Sequence, residues 1–197
     1  MREPERAKAA LERAEAEADE IDRTLWLAKA ADHAVAGRTV LVGGAAVNLH
    51  TKSYRPTDVD MCAYLDEEDR RALKKAGFHH RQGDHFHYDF EDGERWLLEF
   101  PSSQVDGDVT VVRLDEDENL EVISLESLIV DRVLQATDGT KVTFIEAVRL
   151  CVAVFEEADW SKVDQEIRQR AELEPMLGLD VTYSRAMDET RERLKQL

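Results

Sequence analysis

The sequence has little cysteine and no long hydrophobic run, and each absence removes a class of protein. Its two cysteines, Cys62 and Cys151, stand in the apolar segments VDMCAYL and RLCVAVF, as buried reduced thiols typically do. This excludes a disulfide scaffold and a cysteine-based zinc site. No apolar run approaches the ~18 residues of a membrane-spanning helix, and the first residues form no apolar leader. We therefore expect a cytoplasmic protein with no membrane partner.

The sequence is also poor in lysine. Only eight of its 26 basic residues are lysine, and 43 acidic residues leave a formal net charge of −17. A solvated acidic coat of this kind suits a high-salt cytoplasm, where ions screen the self-repulsion, so we favour a halophilic origin over a GC-rich genome. The same charge argues against a broad nucleic-acid surface, because phosphate binding depends on clustered Lys and Arg. A nucleic-acid partner would need a local basic patch.

Hydrophobic periodicity divides the chain into a mixed first part and a helical second part. Residues 5–35 carry apolar residues at spacings of three and four, which predicts one helix or a broken pair. The predicted strands are 39–42, 58–65, 85–90, 95–100, 109–114 and 120–123. The other predicted helices are 45–50, 66–77, 124–136, 143–157, 160–173 and 181–197, with caps at Asp66, Ser124, Thr143 and Ser161. We expect an α/β (α+β) fold: a mixed sheet with an N-terminal helix over 1–123, and a helical domain over 124–197.

The most informative local pattern is a glycine turn followed by two aspartates. Gly43-Gly44 lies between a predicted strand and a helix, and backbone N–H groups at such a turn can bind an anion. The turn lacks the Lys-Ser/Thr of a P-loop and the third glycine of a dinucleotide fold. Asp58 and Asp60 are two apart on a predicted strand and share a face, which suits a divalent-metal site for phosphoryl or nucleotidyl transfer. A pair of turn or helix-capping aspartates is the alternative interpretation.

These residues resemble the signature of the DNA polymerase beta-like nucleotidyltransferase superfamily. Its pattern is a hydrophobic residue and a glycine pair, then Asp-hydrophobic-Asp, then a third acidic residue between hydrophobic ones. The matching segments are Leu41-Val42-Gly43-Gly44, Asp58-Val59-Asp60-Met61 and Leu98-Glu99-Phe100. The stretch VGGAAVNLHTKSYRPTDVDM is most similar to small prokaryotic minimal nucleotidyltransferases and to the type IV toxins of toxin–antitoxin and abortive-infection systems.

The resemblance implies a nucleotidyltransferase-like mixed sheet and the transfer of NMP from an NTP to a hydroxyl acceptor. The residues that it assigns to catalysis and to two Mg²⁺ ions are Asp58, Asp60 and Glu99. Those that would contact the nucleotide are Gly43, Gly44, Lys52, Arg55 and Thr57. The acceptor stays open among tRNA, a protein and a small molecule, and a cognate toxin or antitoxin is a candidate partner.

The sequence departs from the superfamily pattern at two places, and the second of them keeps another function open. Thr57 directly precedes Asp58, where many relatives place one residue between them. The predicted helix at Ser124 lacks the lysine of the type IV toxins, and its nearest basic residue is Arg132. Arginine holds a phosphate but does not readily titrate. The alternative is a catalytically silent nucleotidyltransferase-fold module with a binding or regulatory, antitoxin-like role.

A histidine-rich strand offers a different metal site. His85, His87 and Asp89 share one face of the predicted strand 85–90, so they could bind Zn²⁺ or another transition metal, or simply form the solvent face of a hairpin. Asp89 also competes with Glu99 for the role of third carboxylate. Glu99 is preferred because it lies in the apolar run RWLLEF, where a buried acid requires a reason.

Overall fold

The computed structural model describes residues 2–52 and 56–196, which form eight α-helices and a seven-stranded sheet. The helices are α1 (Pro4–Ala16), α2 (Glu20–Ala34), α3 (Gly43–Thr51), α4 (Glu67–Ala76), α5 (Leu125–Gln135), α6 (Lys141–Ala153), α7 (Trp160–Leu173) and α8 (Leu179–Leu194). The strands are β1 (Val40–Val42), β2 (Asp58–Cys62), β3 (His79–His80), β4 (His85–Asp89), β5 (Arg95–Glu99), β6 (Val109–Arg113) and β7 (Asn119–Ile123).

The sheet is mixed, with the strand order β3-β4-β5-β2-β1-β7-β6. β2 pairs in parallel with β5 and β1 in parallel with β7, whereas the other neighbouring strands are antiparallel. The expected mixed α/β fold is therefore confirmed. The strand that carries both aspartates lies inside the sheet, between β1 and β5.

The two faces of the central strands differ because side chains alternate along a strand. Val59 and Met61 on β2 and Leu98 on β5 are fully buried. The intervening Asp58 and Asp60 are only half-buried. α2 contacts β2 and β7. The apolar face thus belongs to the core, and the opposite face carries the half-buried aspartates.

A buried lysine ties α2 to the start of β7. The Lys29 ammonium donates to the Asn119 carbonyl oxygen at 2.8 Å and lies 2.7 Å from an Asp32 oxygen and 3.2 Å from a Glu118 oxygen. A buried ammonium needs such partners, because its desolvation is otherwise costly. The contact holds the helix against the strand next to β1.

The described residues divide into two compact units, one up to Ile123 and one from Ser124 onward. The second unit contains α5 to α8, and α5 contacts each of the other three helices. The Ser124 hydroxyl accepts the Ser127 N–H at 3.2 Å and caps α5, as expected. No helix in the described ranges is long and apolar enough to cross a membrane.

Helix caps account for three differences between the predicted and the observed helices. The predicted helix over 5–35 is a broken pair, since Asp19 accepts the N–H groups of Ile21 and Asp22 and begins α2. The predicted caps Thr143 and Ser161 are wrong: Thr140 caps α6 and Asp159 caps α7. In each case a side-chain acceptor two or three residues upstream reaches the free N–H groups first. The two-residue strand β3 was not predicted.

Truncating the core next to the site measures how strongly β5 is held. Leu98→Ala is expected to lower the free energy of unfolding by about 2–5 kcal/mol, since Leu98 is fully buried. The control Val111→Ala removes a side chain on β6 that is 62% exposed, and its effect should stay within about 0.5 kcal/mol. Urea unfolding measures both. Equal losses would contradict the assignment of Leu98 to the core.

Candidate active site

The site begins where β1 runs directly into α3. Val42 ends the strand and Gly43 opens the helix with φ 66°, in the left-handed region. A Cβ atom at Gly43 would overlap Oδ2 of Asp60 and would lie 2.7 Å from its Cγ atom. Only glycine adopts this φ readily and also has no Cβ atom to overlap the carboxylate. Gly43 therefore allows the first turn of α3 to approach Asp60.

Strand pairing then brings the third carboxylate to the same face. In the parallel pair, Asp58 is opposite Leu97 and Asp60 is opposite Glu99. Residues directly opposite each other on neighbouring strands share a face, at a strand spacing of about 4.8 Å. Asp58, Asp60 and Glu99 therefore lie on one face of the sheet, and all three are half-buried.

Glu99 has a partner that the sequence analysis missed. His85 is opposite Glu99 in the antiparallel pair of β4 and β5, and its Nδ1 atom lies 3.1 Å from Oε1 of Glu99. The His85 side chain is 49% exposed and that of Glu99 31%. The sequence predicted the hairpin that contains both residues. It did not predict the register that places them opposite each other.

Carboxylate oxygens are suitable ligands for Mg²⁺, although the described part of the chain does not form a complete set of ligands around an ion. Among the described residues, no three His, Cys, Asp or Glu side chains are grouped to hold a metal ion. Mg²⁺ is usually bound by one or two carboxylates together with substrate phosphates. Asp58 and Asp60 provide such carboxylates beside a helix N-terminus, so the residues fit a metal that arrives with a nucleotide.

The fold agrees with that of a solved protein. The crystal structure of an antigenic nucleotidyltransferase-like protein from Paracoccidioides brasiliensis matches with a TM-score of 0.55 and 16% identity, over 87% of this chain and 94% of that chain. The chain has a nucleotidyltransferase-like fold. At this identity the likeness concerns the fold alone. No protein-family model and no curated protein matches the sequence.

Within this nucleotidyltransferase-like fold, the predicted nucleotide-binding residues are spread over α3 and the segment after it. Gly44 is buried in the first turn of α3, beside Gly43. Lys52 caps the opposite end of the helix, which is ~13 Å long, so the backbone of Lys52 is not at the glycine turn. Thr57 is exposed and directly precedes β2. Arg55 lies outside the described residues, and its role stays a prediction.

The alternative histidine site is not assembled. Asp89 is held by the Arg95 guanidinium, which lowers the pKa of that carboxyl. His87 stacks on His79 with ring centroids 5.1 Å apart, and its buried Nδ1 atom has no hydrogen-bond partner among the described residues. Burial lowers the pKa of His87, and the charge of Arg95 adds to this. The Nε2 atom of His87 lies 3.6 Å from Oδ2 of Asp89, but His85 is turned to Glu99. The described residues therefore do not bring the three members of the proposed zinc set together.

The glycine contact can be tested by adding a methyl group. Gly43→Ala is expected to destabilise the protein by at least about 1–2 kcal/mol, the cost of a left-handed conformation in a residue with a Cβ atom, and the overlap with Asp60 adds to it. Gly37→Ala is the matched control, because a Cβ atom there meets nothing within 4 Å. Urea unfolding measures both.

A double substitution separates the cost of the left-handed conformation from the cost of the overlap with Asp60. Adding Asp60→Ala to Gly43→Ala should cost less than the sum of the single changes, because the overlapped carboxyl group is gone. Strict additivity would contradict the close contact.

Proposed function

We propose that the protein is a metal-dependent nucleotidyltransferase that moves NMP from an NTP to a hydroxyl acceptor. The observation that carries the proposal is the contact between Gly43 and Asp60, with Glu99 opposite Asp60 on the next strand. It places a helix N-terminus, which attracts phosphate, beside carboxylates, which attract divalent cations. The nucleotidyltransferase-like fold supports the proposal.

Each part of the site then has a role. The N–H groups of Gly43 and Gly44 hold the triphosphate, and Lys52, Arg55 and Thr57 are proposed as further contacts to the nucleotide. Asp58 and Asp60, with Glu99, would hold two Mg²⁺ ions. When bound, Mg²⁺ neutralises phosphate charge and stabilises the attacking and leaving oxygens.

In the proposed reaction, Glu99 acts on the acceptor. The acceptor hydroxyl oxygen forms a bond to the α-phosphorus, the bond from that phosphorus to the bridging oxygen breaks, and pyrophosphate leaves with the electron pair. The hydroxyl proton passes to the Glu99 carboxylate, which is half-buried on the same face as Asp60. His85, 3.1 Å away, orients that carboxylate.

A catalytically silent binding module is the second candidate. It is favoured by the contact between His85 and Glu99, which turns this carboxylate towards the imidazole. In addition, the described residues contain no group of three metal ligands. Such a module would bind NTP without transfer, and a toxin–antitoxin role with a cognate partner is compatible with either function.

Removing both aspartates tests the metal site. Wild type is expected to gain ~2.7 kcal/mol in free energy of unfolding when Mg²⁺ and NTP are a hundredfold above Kd. Asp58→Asn with Asp60→Asn should lose this gain and all transfer of labelled NTP, because the carboxylate ligands are gone. The control Asp180→Asn with Asp188→Asn makes the same charge change at two exposed residues of α8 and should keep both.

The outcomes separate the two candidate functions. An unchanged Mg²⁺ effect in the Asp58/Asp60 variant contradicts the metal assignment. Binding of Mg²⁺ and NTP by wild type, without label on any component of a cell extract, favours the silent module over the enzyme.

A further inference from the structure

A polar cavity lies at the turn between β3 and β4. It has a volume of about 560 Å³ and is lined by Arg81, Gln82 and His85. One lining residue, His85, also contacts Glu99, a residue of the proposed reaction centre. Cavities of roughly 300–1,000 Å³ are the usual size of small-molecule sites.

The turn that forms the cavity is held by its own hydrogen bonds. The Arg81 N–H donates to the His85 carbonyl oxygen at 2.9 Å, and the His85 N–H donates to the Gln82 carbonyl oxygen at 3.0 Å. The His80 imidazole donates to the Gly83 carbonyl oxygen at 2.9 Å. Gly83 takes φ 54°, which favours glycine. The backbone of the turn that carries the lining residues is therefore held in one conformation.

The cavity contains one exposed cation, Arg81, in a strongly acidic protein. Asp84, the acid within the turn, is bound by Arg70, whose Nε atom lies 2.8 Å from Oδ1. Arg81 is exposed and forms no ion pair with an acid of the described ranges. Guanidinium, amide and imidazole groups all donate hydrogen bonds. The cavity is thus suited to an anionic group, and a guanidinium matches phosphate geometry.

We propose that this cavity is the acceptor subsite and that it binds a small phosphate monoester with a free hydroxyl group, such as a sugar phosphate. The proposal rests on the proposed nucleotidyltransferase function. The phosphate binds Arg81 and Gln82, and the hydroxyl faces Glu99 past His85. A small acceptor is favoured over a polynucleotide, because the net charge of −17 repels a long polyanion.

Binding can be measured without metal or NTP, using ribose 5-phosphate as the probe. In ¹⁵N-labelled protein, the probe is expected to shift the imidazole signals of His85, which are assigned by their loss in His85→Gln. Ribose without phosphate should cause no shift. Arg81→Gln should weaken binding at least about tenfold, because a charge-assisted hydrogen bond is lost. The control Arg71→Gln changes an exposed arginine on α4 and should leave the affinity unchanged.

The remaining outcomes distinguish the subsite from the function. The subsite is overturned if ribose 5-phosphate leaves His85 unperturbed or binds Arg81→Gln as tightly as wild type. Tighter binding of a short RNA, with a steep salt dependence, overturns the small acceptor. Binding at Arg81 in a protein that transfers no nucleotide overturns the proposed function while the anion cavity stands.

Discussion

The candidate site depends on one close contact, that between Gly43 and the carboxylate of Asp60. Since α3 begins directly at the end of β1, any side chain at position 43 would occupy the space of that carboxylate. The positive end of the helix dipole then faces a negative group, which is favourable. A bound triphosphate would add a second anion at the same place, and two anions can share it only with a cation between them. This is the physical reason to expect a metal ion that arrives with the nucleotide.

The contact between His85 and Glu99 connects the carboxylate face to the cavity beside it. Glu99 lies opposite Asp60 on one side and opposite His85 on the other. In an enzyme this places one carboxylate between the nucleotide and the acceptor, oriented by the imidazole. In a silent module the same imidazole would keep Glu99 away from a metal ion. The two functions therefore differ in the role of the Glu99 side chain.

Local patterns in the sequence were sufficient for most elements. Alternation along 58–61 predicted both the strand and the shared face of Asp58 and Asp60, because the side-chain period of a strand is two. The hairpin of β4 and β5 was predicted as well, but its register was not. If the predicted strands 85–90 and 95–100 paired along their whole length, His85 would lie opposite Phe100. The observed turn, in which the Phe90 N–H donates to the Glu94 carbonyl oxygen, shifts the pairing by one residue.

The sequence by itself determined the order of most helices and strands, the glycine turn and the shared face of Asp58 and Asp60, since each depends on neighbours within a few residues. The tertiary structure alone decided that β2 pairs in parallel with β5, that His85 faces Glu99 and that Arg81 opens onto a cavity beside them. These are contacts between residues up to about forty positions apart. A one-residue slip in strand pairing would move each side chain to the other face, and only packing of the whole sheet selects the register.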